Sequence, residues 1–121
     1  MWLIVALIAK HQICDIIVQH IFFTPKDVKS WFNFRCWWHY THHAIGTFIV
    51  VWSFTNIHLA VICAIIDWFA HWIVDSTKTS IYQSRPDWKA HRQTNALFLT
   101  CDQLLHLGTY VVIYMLIIHF G

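Results

Sequence analysis

The chain has 121 residues, of which 58% are hydrophobic and 17% aromatic, and only 12% carry a formal charge. An ordinary soluble domain has about 25% charged residues, so the composition excludes a typical soluble globular protein, and the net charge of +2 gives no reason to expect a nucleic-acid partner. We expect an integral membrane protein in contact with membrane lipid, forming a single all-α domain over residues 1–121.

Four apolar stretches make up most of the chain, and each is close to the roughly 20 residues that a helix needs to cross a bilayer. They predict a multi-pass four-helix bundle. Seven of the eight Lys and Arg residues lie in the connections after the first and third stretches. The positive-inside rule therefore predicts cytoplasmic connections and places both termini on the exterior side. The predicted spans are about 2–23, 37–55, 57–76 and 96–119.

The first stretch carries a row of polar residues, His11, Asp15 and Gln19. Residues four apart lie on one face of a helix. Lys10 lies off this row within the apolar segment, where we expect it to have a partner on a neighbouring helix or to lie in a water-filled pocket. The connection over 24–36 alternates basic and aromatic residues, which is typical of a segment at the membrane interface.

The second stretch opens with His39 and His43, which share a face, whereas His42 does not. It ends near Asn56, so the very short connection to the third stretch predicts an antiparallel helical hairpin. The segment after the third stretch, 77–95, is polar and basic. We expect a solvated cytoplasmic loop there, with attraction of anionic lipid headgroups or a phosphorylated substrate as the alternative.

The third and fourth stretches repeat the four-residue spacing. Asp67, His71 and Asp75 form one row, and Asp102 and His106 form another, with Gln103 beside Asp102. At a rise of about 1.5 Å per residue, all four stretches present a polar pair at a similar depth near the cytoplasmic side. Polar residues placed at random would not agree in depth, so convergence into one site is the economical interpretation.

The residue types in these pairs predict a metal site. Imidazole with carboxylate suits zinc, iron or manganese, and we expect one or two divalent transition-metal ions, with zinc preferred. One zinc ion takes three or four protein ligands, so either two ions bind or some residues orient the others. The alternative is a buried hydrogen-bond network or a proton path. The candidate metal ligands are His11, Asp15, His39, His43, His71, Asp75, Asp102 and His106.

Other roles follow from position. Asp67 lies one turn deeper than His71, so we expect it to support that ligand by hydrogen bonding, as we do for Gln19 and Gln103 beside other ligands. The residues expected to take part in catalysis are Asp15, His71 and Asp102. The four cysteines form no CxxC pair, so neither a disulfide framework nor a thiolate zinc site is predicted.

The order of motifs resembles a known family. HxxxD at 11–15, HxxxH at 39–43, HxxxD at 71–75 and DQxxH at 102–106 resemble the small bacterial and phage membrane proteins of domain-of-unknown-function family 3307. The resemblance covers essentially the whole chain and implies a multi-pass protein of the bacterial inner membrane. It implies no activity. The HxxxD pairs are, however, similar to those that inner-membrane metal-dependent hydrolases carry within their membrane spans.

The leading hypothesis is a metal-dependent hydrolase acting on a lipid or lipid-linked ester or phosphoester at the cytoplasmic interface. A metal-ion or proton transporter or channel is the main alternative, because intramembrane ionisable residues often mark such paths. A membrane protein that binds a partner without catalysis is another. The segment 39–43 also spells HxxHH, as in membrane di-iron oxidases, but those enzymes need several such boxes. Oligomeric state is left open.

Overall fold

The computed structural model describes residues 1–18 and 34–121, which are helical almost throughout. Within these two ranges no strand occurs, and the predicted all-α class is confirmed. The elements are α1 (Trp2–Ile13), which continues into a π-helical segment (Cys14–Val18), then α2 (Phe34–Phe54), α3 (Ile57–Ser84), the short α4 (Pro86–Ala90) and α5 (Arg92–Phe120).

Helices α2 and α3 form the predicted hairpin. Only two residues connect them, and the Asn56 side chain caps α3 by accepting a hydrogen bond from a backbone N–H three residues later, at 3.0 Å. Such a cap satisfies one of the amide groups that a helix start leaves without a partner. Tyr40 meets Ser76 and Thr47 meets Asp67 across the pair, so the helices run antiparallel.

The polar segment 77–95 is not the predicted loop. Helix α3 continues to Ser84, Pro86 begins α4, and His91 caps α5. No glycine or proline lies between 77 and 85, so nothing ends α3 until proline, which disfavours helix at the residue before it. Lys78 therefore lies on the last turns of α3 rather than in a flexible connection.

The four longer helices pack around an apolar core that lies beyond the candidate ligands in each helix. Its residues interdigitate at positions that are almost fully buried, and Phe48, Val50, Ile66 and Tyr114 pack against them. The buried core cluster consists of Leu3, Leu7, Val51, Ala60, Cys63, Tyr110, Ile113 and Ile117.

The distribution of polarity is inverted relative to a soluble protein. Large apolar side chains such as Ile49, Ile65 and Leu105 are more than half exposed, whereas ionisable residues are buried, although these are normally the most exposed types. Among the described residues, α3 and α5 are long and apolar enough to cross a membrane. The buried polar residues are Lys10, His11, His43, Thr47, Asp67, His71, Ser76, Asp102 and His106.

Candidate metal centre

The structure brings all eight predicted ligands into one cluster. Each of the four longer helices contributes two of them, from the turns nearest the segment 77–95. Every member lies within 4 Å of another member, so the chain of contacts is continuous across the helices. The shared spacing of four residues therefore does place these side chains at one level, as the sequence predicted.

Five imidazole rings form the centre of the cluster. The His43 and His71 rings lie 3.9 Å apart between centroids, and His71 stacks on His106 at 4.3 Å. His11 lies 4.9–5.3 Å from these three rings, and His39 lies 4.6 Å from His43. Protonated rings at these distances would repel one another, whereas neutral rings each present a lone pair that needs a partner.

Asp15 joins α1 to α2 at the edge of the imidazole cluster. Its Oδ1 lies 3.0 Å from His43 Nε2 and 3.7 Å from His39 Nε2, and its Oδ2 lies 3.3 Å from His11 Nε2. One carboxylate thus faces three imidazoles from two helices. This arrangement suits a carboxylate that either binds a metal ion or orients the histidines that do.

On the opposite side, Asp75 joins α2 to α5. Its Oδ2 lies 3.5 Å from His39 Nε2, and its Oδ1 lies 3.3 Å from His106 Nε2. Asp102 Oδ1 lies 3.7 Å from the same His106 nitrogen. The ammonium group of Lys78 donates to Asp102 Oδ2 at 2.9 Å and to Asp75 Oδ1 at 3.3 Å. A lysine assigned by sequence to a loop therefore contacts two candidate ligands.

Asp67 lies one turn below the cluster and supports it. Its Oδ1 lies 3.1 Å from His71 Nδ1, and its backbone carbonyl lies 2.9 Å from the same nitrogen. These contacts favour a proton on Nδ1 and leave the Nε2 lone pair facing His11, at 3.4 Å from its Nδ1. Asp67 Oδ2 accepts hydrogen bonds from Lys10 at 2.9 Å and from Thr47 at 2.7 Å. A carboxylate behind a histidine is the usual support of a metal ligand.

Lys10 has partners on neighbouring helices, which is one of the two arrangements expected from the sequence. Its ammonium group has three acceptors, namely Asp67 Oδ2, the Tyr110 hydroxyl at 2.9 Å and the His43 carbonyl at 3.2 Å. Because the Tyr110 oxygen accepts from Lys10, its proton is free to point toward His11 Nδ1, which lies 2.9 Å away. The buried ammonium is thus fully satisfied without contacting an imidazole ring.

Sequence reasoning missed Thr47 and Tyr110 as parts of this network. Both were visible in principle, because each lies four residues beyond a candidate ligand, His43 and His106 respectively. Extending the rows by one turn would have found them. Of the other predicted supporting residues, Gln103 lies 3.5 Å from Asp102 Oδ2, while Gln19 lies outside the described residues.

Three His and Asp groups in the cluster could hold a metal ion, with their ligand atoms within 4.8 Å of one another. Within the described parts of the chain, buried atoms that lack a hydrogen-bond partner occur in the same groups, among them His43 Nδ1, His106 Nδ1 and Asp102 Oδ1. Leaving buried polar atoms unpaired costs about 1–3 kcal/mol each, and metal coordination would remove that cost. The three groups are His11–His43–His71, Asp15–His39–His43 and Asp75–Asp102–His106.

Among the described residues, the cluster is most exposed along one edge. The side chains of Asp15, His39 and Asp75 are 26%, 16% and 16% exposed, whereas those of His43 and His71 are buried. Exposure increases toward the end of the bundle that carries segment 77–95.

His42 lies outside the cluster. Its Nδ1 lies 2.7 Å from the Trp38 carbonyl of its own helix, and its ring packs on the Trp38 ring at 5.3 Å. The HxxHH segment therefore does not act as one ligand box in this structure.

A family model described as protein of unknown function (DUF3307) matches residues 3–121, which is essentially the whole chain. The chain belongs to this family. The resemblance drawn from the four motifs is thereby confirmed. No curated protein and no solved structure matches the chain. Membership of the DUF3307 family does not indicate an activity, so function has to be argued from the site itself.

Proposed function

We propose that this DUF3307 protein is a multi-pass protein of the bacterial inner membrane that binds a divalent transition metal and hydrolyses a lipid or lipid-linked substrate at the cytoplasmic interface. The observation that carries the proposal is the convergence of five imidazoles and three carboxylates from four helices, with several buried nitrogen and oxygen atoms of these side chains that have no hydrogen-bond partner among residues 1–18 and 34–121.

The inverted polarity supports the membrane part of the proposal. Exposed isoleucine, leucine and tryptophan side chains surround buried ionisable groups, which is the arrangement that a hydrocarbon environment favours. Two helices have the required length and composition, and α1 with its π-helical segment and α2 would complete a four-helix membrane bundle. Lys78, Arg85, Lys89 and Arg92 all belong to the end that carries the cluster, so the positive-inside rule puts that end in the cytoplasm.

The donor set supports zinc first, with iron or manganese as alternatives. The side chains that meet in the three groups offer nitrogen and carboxylate oxygen, a mixture that suits these ions better than calcium or magnesium. Two of the groups share His43, whereas Asp75, Asp102 and His106 form a group of their own, so the cluster could accommodate one ion or two. Asp67 behind His71 and Tyr110 beside His11 would fix the orientation of two ligands.

The position of the exposed edge supports hydrolysis. A zinc ion held by these residues would supply bound water that ionises near neutral pH. Asp15 is partly exposed and contacts three imidazoles, so its carboxylate is the group best placed to act as a proton acceptor at this edge. His71 and Asp102 are buried and belong to different groups, so each is better placed to hold an ion than to exchange protons. Basic residues at the same end would hold an anionic headgroup.

The core argues against a metal or proton channel. Beyond the supporting layer of Asp67 and Thr47, the helices meet through the apolar residues Leu7, Val51 and Cys63, which are fully buried. A conduction path would need polar groups or water at that level. Liposome flux measurements with the purified protein would detect one if it existed.

Metal binding is tested by elemental analysis of protein purified in detergent without chelator. We expect wild-type protein to retain about one or two equivalents of metal, and His43→Ala to lose most of it. His42→Ala is the matched control, because it removes a neighbouring imidazole that lies outside the cluster. A folded wild-type protein that binds no zinc, iron or manganese would refute the proposal.

Hydrolysis is tested separately on metal-loaded protein. Phospholipids and lipid-linked esters and phosphoesters are supplied in mixed micelles, and product release is followed for wild type, Asp15→Asn and His42→Ala. We expect a loss of at least about 100-fold for Asp15→Asn and little change for His42→Ala. Metal retention with no turnover on any of these substrates would leave a metal-binding protein and reject the hydrolase.

A further inference from the structure

We propose that the Asp75–Asp102–His106 group is a second metal position for which the ammonium group of Lys78 competes. The inference rests on the proposed metal-binding function. It goes further by distinguishing two positions: an inner one that can bind an ion without displacing a cation, and a second one that can bind an ion only after Lys78 moves away. It therefore predicts how many ions the protein holds and what controls that number.

The geometry places Lys78 inside this group. The lysine lies one turn after Asp75 on α3 and reaches across to α5, with its Nζ 3.3 Å from Asp75 Oδ1 and 2.9 Å from Asp102 Oδ2. These are two of the three residues that could hold an ion there. A bound cation and a bound ammonium would thus use the same carboxylates, so they exclude each other.

The ammonium satisfies this group only in part. Asp102 Oδ1 and His106 Nδ1 are buried and have no hydrogen-bond partner among the described residues, and both residues are at least 95% buried. An ammonium group offers only hydrogen-bond donors in three fixed directions, whereas a metal ion can take several oxygen and nitrogen atoms at once. The unpaired Asp102 Oδ1 lies 3.7 Å from His106 Nε2, the ring nitrogen that faces both carboxylates, and it indicates a site built for more than lysine.

The inner group is different. No lysine contacts the imidazole rings of His11, His43 and His71 in the described part of the chain: Lys10 reaches only the backbone carbonyl of His43 and is itself held by Asp67 and Tyr110. A metal ion binding to these three rings would displace no cation. The inner position is therefore the one that fills first.

Lys78 is able to leave its position. Its side chain is 25% exposed, at the exposed edge of the cluster, and a long flexible stem lets a lysine head move between partners without unpacking its helix. Lys10, by contrast, is 7% exposed. Displacement of Lys78 thus requires breaking two ion contacts but no core packing.

The test is a zinc titration of the full-length protein in detergent, followed by calorimetry and elemental analysis, on wild type, Lys78→Met and Lys89→Met. We expect the wild type to bind one ion tightly and a second at least about tenfold more weakly than Lys78→Met does. Lys89→Met is the matched control, because it removes the same charge from an exposed residue and should behave as wild type. Adding Asp102→Asn to Lys78→Met should abolish the second binding event.

A second measurement uses wild-type protein alone. Excess zinc should increase the labelling of Lys78 by an amine-reactive reagent, read by mass spectrometry, while labelling of Lys89 stays constant. If Lys78→Met does not fold, Lys78→Gln and this labelling experiment decide the question. Equal second-site affinity in wild type and Lys78→Met, or no second site in either, overturns the inference while leaving the inner site intact. No metal in any variant would instead reject the proposed function.

Discussion

The ion pair between Lys10 and Asp67 gives the sharpest prediction about stability. The two groups meet at 2.9 Å between α1 and α3, with side chains 7% and 0% exposed. Lys10→Met keeps the length of the stem and removes the charge, and it leaves the Asp67 carboxylate buried with only Thr47 and His71 as partners. An unpaired buried charge is the most costly result of a single substitution.

The magnitude follows from the distance. Two unit charges 2.9 Å apart attract by about 6 kcal/mol at an effective dielectric constant of about 20. Desolvation of both groups offsets part of this attraction, so the measured loss in Lys10→Met should be about 3–5 kcal/mol. Asp67→Asn should cost a similar amount, because it leaves the ammonium with only neutral acceptors, the Tyr110 hydroxyl and the His43 carbonyl.

The assay is equilibrium unfolding in mixed micelles, followed by the fluorescence of the eight tryptophans. The double variant Lys10→Met with Asp67→Asn should cost less than the sum of the two single changes, with a coupling energy of about 2–3 kcal/mol. Lys89→Met, an exposed lysine, should change stability by less than about 0.5 kcal/mol. Single variants that cost under about 1 kcal/mol, or strict additivity, would refute this account of the pair.

The remaining predictions use the same unfolding assay. A methyl group at Gly46 would lie 2.6 Å from Lys10 Cδ, whereas one at Gly108 has nothing within 4 Å. Gly46→Ala should therefore lower the unfolding free energy by about 1–3 kcal/mol, while Gly108→Ala should raise it by up to about 1 kcal/mol; the opposite order would contradict the close approach of α1 to α2. Thr47→Val removes the 2.7 Å hydrogen bond to Asp67 and should cost about 1–3 kcal/mol in the same micelle assay; a neutral result would count against that bond. Zinc at about 100 times its dissociation constant for the inner position should add about 2.7 kcal/mol to the unfolding free energy of wild type and much less in His43→Ala, which keeps only the weaker Asp75–Asp102–His106 position; equal shifts would point to binding elsewhere.

The sequence could predict which side chains lie at the same level of the bundle, but not which of them contact one another. Spacing alone places His39, His43 and Asp75 at one level, because a helix fixes the rise per residue. It does not say that Lys10 pairs with Asp67, which lies 57 residues away, since that contact depends on which helices are neighbours and how each is rotated. The predicted third span, 57–76, is shorter than helix α3 for a related reason.

The length of α3 shows why composition misled. Residues 77–84 are polar, and polarity marks the end of a membrane span but not the end of a helix, which stops only at a capping residue or proline. Composition alone therefore places Lys78 among the basic residues of a predicted loop. On a continuous helix it lies one turn from Asp75 and contacts Asp102, and this contact is what links the basic end of the protein to the candidate metal positions.

One repeating pattern explains both the site and the core. In α2, steps of four residues lead from His39 and His43 to Thr47 and then to Val51, that is, from ligands to the supporting layer to the buried apolar core. Helix α3 passes through the same three layers in the reverse chain direction, ending at Cys63, and α5 reaches its supporting layer at Tyr110.

Helix α1 departs from this pattern, and the departure explains Lys10. Four residues below His11 its row already holds Leu7, a member of the apolar core, so no residue of the row itself contributes to the supporting layer. Lys10, beside the row, supplies that contribution by reaching Asp67 and Tyr110. A lysine in mid-helix is costly unless paired, and here the charge neutralises the carboxylate that supports His71. The residue that fitted the sequence pattern least well is thus the one that completes the layer below the candidate metal centre.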